Sequence, residues 1–382
     1  MKRYIVAACI FLLVLLCGQD MYAKETLTME TQELMEEMDF SDISNFLKRE
    51  KTVEKISFED IVHMLMGEGE SFSYETVGEY LKEILIGGIA ENKALFLELL
   101  VVTLAFSIVK NFAGSFSNSY ISEICFLVCY CFMMILLLQS FSILNETVLQ
   151  TTESLVGFMK VFIPTYCMAI SFSLNLNSSA AAYSMTFGVI YIVEWLIHNF
   201  LIPLVQIYVI IEFMNHLMDG QRFKKLAELI CDLVKNLLKI TVSVIFGINI
   251  IQGLIAPAMD RLTGNTVAKT LQMIPGIGNV MSGMGQIFLS SGLVIKNCVG
   301  AAALIILVLL CAVPYVKVAF LAGMYKMLAA VLEPVADKRL LGGMNGVSVG
   351  GMLYLKILGT CIMLFFLTIA LTSAATNFTA GG

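Results

Sequence analysis

Residues 182–217 read AYSMTFGVIYIVEWLIHNFLIPLVQIYVIIEFMNHL. A bilayer core is about 30 Å thick and a helix rises 1.5 Å per residue, so one crossing takes roughly 20 residues. As a single helix this run would be about 54 Å long, far beyond one crossing. His198, Asn199 and Pro203 interrupt it near the middle. Proline lacks the N–H that a helix interior needs, and the two polar side chains favour water. The sequence therefore predicts two short spans, 181–200 and 203–217, joined by a tight hairpin.

Working outward, further apolar runs cover 90–109, 122–144, 155–174, 240–259, 297–313, 315–332 and 353–373. The whole chain of 382 residues is 58% hydrophobic and 14% charged, with a mean hydropathy of +0.84. A soluble domain sits at about 45–50% apolar and about 25% charged. The fold class expected is all-α: a polytopic helical membrane protein. Residues 84–376 form a multi-span domain of about 8–10 hydrophobic helices.

Two segments precede that body. Residues 1–23 have the form of a cleavable signal peptide: Lys2 and Arg3, an apolar core from Ile5 to Leu16, and Ala23 at the cleavage point. An uncleaved anchor is the alternative. Residues 24–83 form a small N-terminal extracytoplasmic helical module with sixteen Asp and Glu against six Lys and Arg, a net of −10. Ser41, Ser57 and Ser73 are its expected helix caps, and Phe58, Ile61, Val62 and Leu65 its inner face. About sixty residues make a thin core, so the module should lean on the membrane body or on a partner. The ten cysteines lie mostly in apolar runs, none in residues 24–83, and read as small hydrophobes rather than disulfide partners.

Charge orients the body. With the acidic module outside and the hairpin split in place, five crossings put 218–239 inside. That loop carries Arg222, Lys224, Lys225, Lys235 and Lys239, as the positive-inside tendency requires. Within it, 221–239 reads as a basic amphipathic cytoplasmic helix, with Phe223, Leu226, Ile230, Leu233 and Leu237 on the apolar side. Its expected role is a membrane-surface anchor, with docking to a cytoplasmic partner as the alternative.

The stretch 271–295 is apolar but laced with Gly276, Gly278, Gly283, Gly285 and Gly292, and closes on Lys296 and Asn297. Bare backbone facing lipid is costly. The segment is either a helix whose small residues admit close neighbours or a sheltered, re-entrant element beside a polar path. In sequence, PGIGN at 275–279, the glycine-rich run, and SGLVIKNCVG at 291–300 together resemble the signature of the stage III sporulation protein AE family. The resemblance covers nearly the whole chain. It implies a protein of endospore-forming bacteria, placed in the mother-cell membrane facing the forespore. There it would belong to a specialised, secretion-like channel complex with other membrane proteins of the stage III sporulation channel as partners. It implies no catalytic residues.

Other chemistry is weakly signalled. GVSVG at 346–350 fits a nucleophile elbow at Ser348, but all three histidines lie upstream, and its surroundings read as a loop or a small-residue helix start. No phosphate loop or H-E-x-x-H occurs, and no cofactor, metal or nucleic acid is expected. Glu194 with His198, and Glu212 with His216, each place an acid and a histidine one turn apart. Together with Glu98 and Glu123 they are the intramembrane polar candidates. FIPTYCM, LIPLVQI and AVPYVKV place Pro164, Pro203 and Pro314 at apolar boundaries, as helix starts or a structural repeat would. The reading is a non-enzymatic channel subunit. A stand-alone small-solute or ion permease is the alternative, and a scaffold without a conducting path a third.

Overall fold

The computed structural model describes residues 34–35, 38–50, 53, 56–66, 97–98, 100–105, 108, 119–172, 176–218, 222–272, 278–334 and 336–377. The signal segment 1–23 and the helix expected after Ser73 lie outside the described residues. No strand occurs among the described residues. Two short helices, α1 (Ser41–Arg49) and α2 (Phe58–Leu65), precede the long ones. These are α3 (Ser119–Ser171), α4 (Leu176–Leu196) running through a π turn (Ile197–Leu201) into α5 (Ile202–Leu217), α6 (Lys224–Gln272), α7 (Gly278–Leu332) and α8 (Lys338–Asn377). Four stretches are long and apolar enough to cross a membrane: Phe126–Ser171, Tyr183–Leu217, Ser291–Leu332 and Lys338–Ser373. By length and composition this is a membrane protein.

The hairpin expected at His198–Pro203 is not there. Residues 176–217 are one helix with a local widening. Pro203 cannot donate to the carbonyl of Asn199, which would disturb an α-helical ladder. The chain answers with a π turn, in which the Ile202 N–H reaches back to the Ile197 carbonyl. Ile197 and Leu201 stay buried, so the irregularity is packed rather than opened. A hairpin would fold the two halves onto each other, but each finds other partners: α4 packs on α3 and α6, α5 on α6 and α8.

The same continuity joins other runs that the sequence reads as separate. Spans 122–144 and 155–174 fall on α3, and 297–313 and 315–332 on α7. Pro164 and Pro314 lie inside those helices, not at helix starts. At 53 residues, α3 is about 80 Å long, more than twice the bilayer core. Its middle is a polar belt from Asn145 to Ser154, separating two apolar halves.

The two short helices α1 and α2 pack against α3 and α7. The Ser57 side chain accepts from the Asp60 N–H at 3.3 Å, and Phe58, Ile61 and Val62 are buried. The first cap differs: Ser41 is helical, and its N–H donates to the Asp39 carboxylate at 2.8 Å. The Ser41 hydroxyl and N–H hold the Asp39 carboxyl below its usual range. Phe46 lies over Gly157 of α3, where a Cβ would come within 2.9 Å of its ring. Phe58 meets Phe162 edge-on at 6.4 Å, and the Ser154 hydroxyl donates to Glu50 at 2.9 Å.

Helix α8 is the hub, touching α3, α4, α5, α6 and α7. Outward-facing residues such as Phe132 and Ile135 on α3, Trp195 on α4 and Ile210 on α5 are exposed and apolar, as a lipid-facing surface requires. The basic helix is turned from its expected orientation. Ala227, Ile230, Cys231, Val234 and Leu238 are the buried face, while Leu226, Leu229 and Leu233 point outward. The turn continues into one helix, α6, so its buried face is set by α5 and α8 rather than by a membrane surface.

Candidate functional site

The start of α8, LGGMNGVSVGGM over 341–352, sets the closest helix contacts. Each glycine in a helix costs about 1 kcal/mol relative to alanine, so packing must offset several of them. Gly342, Gly346 and Gly350 recur every four residues and form one row against α5. A Cβ at Gly342 would overlap the His216 ring, one at Gly346 would lie 2.9 Å from Glu212 Cβ, and one at Gly350 would overlap Val209. Gly351 faces α7, where a Cβ would stand 2.9 Å from that of Ala322. Beside it the buried Ser348 hydroxyl donates to the Ala322 carbonyl at 2.9 Å. Ser348 is thus inside a helix and engaged, which removes the nucleophile elbow.

Beside the α5–α8 contact, near the end of α5 and the start of α8, lies a cavity of about 220 Å³. One wall is Tyr208, Glu212, Asn215 and His216 of α5, a single helical face. The other wall is α8 from Gly342 to Val349, with exposed Asn345 and, from the start of α6, exposed Lys224. The Glu212 carboxylate accepts from the Tyr208 hydroxyl at 3.3 Å and from Asn215 at 3.5 Å, and lies 3.5 Å from His216 Nδ1. His216 Nδ1 is also 2.9 Å from the Glu212 carbonyl oxygen, so it carries the proton there. Asn215 accepts the Phe223 N–H at 3.0 Å, tying the α5–α6 connection to this wall.

The polar belt supplies a second set of contacts. Asn145 of α3 accepts from Gln206 of α5 at 2.9 Å and from the Tyr354 hydroxyl of α8 at 2.6 Å. Ser140 bonds Tyr325 of α7, and the Tyr130 hydroxyl donates to the Phe213 carbonyl at 2.8 Å. Of the two expected acid–histidine pairs, Glu212 and His216 do meet. Glu194 instead pairs with Lys160 of α3 at 2.8 Å, both about one-third exposed. His198 faces Thr152 at 3.3 Å, because the π turn carries it towards α3. Glu98 and Glu123 are exposed.

The glycine-rich segment ahead of Lys296 is helical from Gly278 onward, so Gly278, Gly283, Gly285 and Gly292 are helix positions, while Gly276 lies outside the described residues. Gly292 touches the backbone of Phe172 at the end of α3, where a Cβ would sit at 2.8 Å. Lys296 is fully buried, and its ammonium donates to the Ser373 carbonyl near the end of α8 at 3.4 Å. A cation is favoured near the C-terminal end of a helix. Exposed Asn297 accepts from the Ser373 hydroxyl at 3.2 Å.

Arg222, Lys224, Lys225 and Lys239 are exposed. The Asp232 carboxylate, 2.9 Å from Lys235, holds that ammonium above its usual pKa. Among the described residues no cluster of three or more His, Cys, Asp or Glu could hold a metal. The sequence did not single out Asn145, Gln206, Tyr354 or the α8 glycine row. The four-residue spacing at 342, 346 and 350 is the signal that points to the last.

The sequence matches the family model described as stage III sporulation protein AE over residues 56–376. It is 24% identical over 311 residues to stage III sporulation protein AE of Bacillus subtilis (strain 168), covering 81% of this chain and 78% of that protein. No solved structure matches the chain. With the family model spanning most of its length, the chain belongs to the stage III sporulation protein AE family.

Proposed function

We propose that this protein is a non-enzymatic, multi-pass membrane subunit of a channel complex that joins the mother cell to the forespore and is required for endospore development. The observation that carries the reading is the family match over residues 56–376, laid on a bundle whose buried polar groups bond helix to helix. The inward-facing hydroxyls, amides and glycines hold the bundle together, as an assembly component needs.

Orientation follows from the two ends of the bundle. Arg222, Lys224, Lys225, Lys338 and Arg339 lie where α5 ends and α6 and α8 begin, and the positive-inside tendency supports reading that end as cytoplasmic. The acidic module packs against α3 from Ser154 to Phe162, in the other half. This supports reading the module as extracytoplasmic, on a protein of the mother-cell membrane facing the forespore, where it would meet partners.

A stand-alone permease would need intramembrane acids lining a path. Glu98 and Glu123 are exposed, Glu194 is paired to Lys160, and Glu212, though it lines a cavity, is bonded by Tyr208 and Asn215 of its own helix, which favours the subunit reading. The test is affinity recovery of a tagged full-length copy from sporulating cells, with mass spectrometry of what accompanies it. Membrane proteins made at the same stage are expected. Recovery of lipid alone, together with spore formation abolished by Glu194→Gln, would overturn the reading in favour of a permease.

A further inference from the structure

The cavity between α5 and α8 presents two opposite charges that do not meet. Glu212 and Lys224 both line it, yet among the described residues Lys224 forms no ion pair or hydrogen bond, and its ammonium is more than the 4.0 Å ion-pair distance from Glu212. Opposite charges that can reach each other through water normally pair or remain fully solvated. Here both line a space of about 220 Å³ without pairing. A water takes about 30 Å³ of liquid volume, so the cavity is far larger than a single ion or water requires.

Each side has its own chemistry. At one side are the Glu212 carboxylate and the His216 imidazole, whose Nδ1 proton is committed to a backbone carbonyl. The carboxylate is the acceptor here, and Asn345 on the facing α8 wall adds an amide oxygen. This side suits a primary ammonium with its three donors. At the other side Lys224 offers a mobile positive point charge, which suits a phosphate. The cavity lies within the last turns of α5, at the cationic end of the bundle. Met214 of α5, Met218 just after it, and Leu226 and Leu229 of α6 are exposed apolar side chains on the flanking segments. Gly342 and Gly346 belong to the cavity's α8 wall, where a Cβ would collide with His216 and with Glu212.

We propose that this cavity binds an aminoethyl phosphate group, the ammonium on Glu212 and the phosphate on Lys224, carried either by the headgroup of phosphatidylethanolamine or by a free phosphoethanolamine. The site is separate from channel membership and stands or falls without it.

The test uses full-length protein in detergent micelles, with retained lipid read by native mass spectrometry. Probes are dioleoylphosphatidylethanolamine, dioleoylphosphatidylglycerol and free phosphoethanolamine. Wild type should retain the ethanolamine lipid about tenfold over the glycerol lipid, as loss of one charge-assisted contact implies. Glu212→Gln should abolish that preference and Lys224→Gln should weaken retention of both lipids, since both carry a phosphate, whereas Lys225→Gln, on an exposed neighbour outside the cavity, should change neither. Lys224 is exposed, so its variant folds even if Glu212→Gln does not, and a thermal melt checks both. If free phosphoethanolamine binds with the same dependence on Glu212 and Lys224 while the lipid does not, the soluble source is correct. Equal retention of both lipids with no binding of phosphoethanolamine overturns the proposal, as does loss of preference in Lys225→Gln.

Discussion

Two glycine-rich stretches, 276–292 and 342–351, look alike in composition and differ in spacing. In the second, glycines at 342, 346 and 350 repeat every four residues and all face α5, so a whole helix surface comes close. In the first, the gaps are irregular, and Gly292 makes a close approach to the backbone of Phe172. The difference teaches what a regular spacing adds: a repeat near the helical period keeps small residues on one side, whereas an irregular one spreads them around the helix.

The comparison can be broken most directly at Gly350. Gly350→Leu drives a side chain into Val209 and Phe141, and is expected to cost about 3 kcal/mol, read as a lower unfolding midpoint in detergent. Gly292→Ala should come next, at about 2 kcal/mol, because the obstacle is backbone rather than a side chain that can swing aside. If it proves harmless, the first stretch holds no close contact there. Ser348→Ala removes the bond to the Ala322 carbonyl and should cost about 1 kcal/mol.

The sign should reverse away from the contacts. No atom comes within 4 Å of a Cβ built at Gly323 or Gly188. Gly323→Ala and Gly188→Ala should each raise stability by about 0.5–1 kcal/mol, by lowering unfolded-chain entropy and improving helix propensity. A loss at either would show that small residues matter on the outer surface too. The smallest effect is expected from Glu194→Gln. Its partner Lys160 is about as exposed as Glu194 itself, so screening keeps the change below about 0.5 kcal/mol.

Much of the architecture was readable. The Ser57 cap and the inner face of α2 need only composition and period, and both are where expected. The junctions were harder. Pro203 correctly marks a disturbance, but whether a helix turns back or widens depends on neighbours distant in sequence, here α3, α6 and α8. Glu194 illustrates the same limit: on its own helix His198 is the obvious partner, while Lys160 sits 34 residues earlier and becomes adjacent only after packing. Asn145, Gln206 and Tyr354 are single polar residues in separate segments, and nothing local links them. The α8 row was hidden differently, since GVSVG invites a catalytic reading that only its helical placement removes.

The π turn has a further consequence for register. Each residue advances an α helix by about 100°, so one residue more or fewer between Ile197 and Leu201 turns everything beyond it by that angle. The widened turn therefore acts as an angular offset, deciding which side of α5 confronts Gly342 and Gly346. Removing one residue there would leave a straighter helix, yet would swing Glu212 and His216 out of the groove and bring an apolar side into their place.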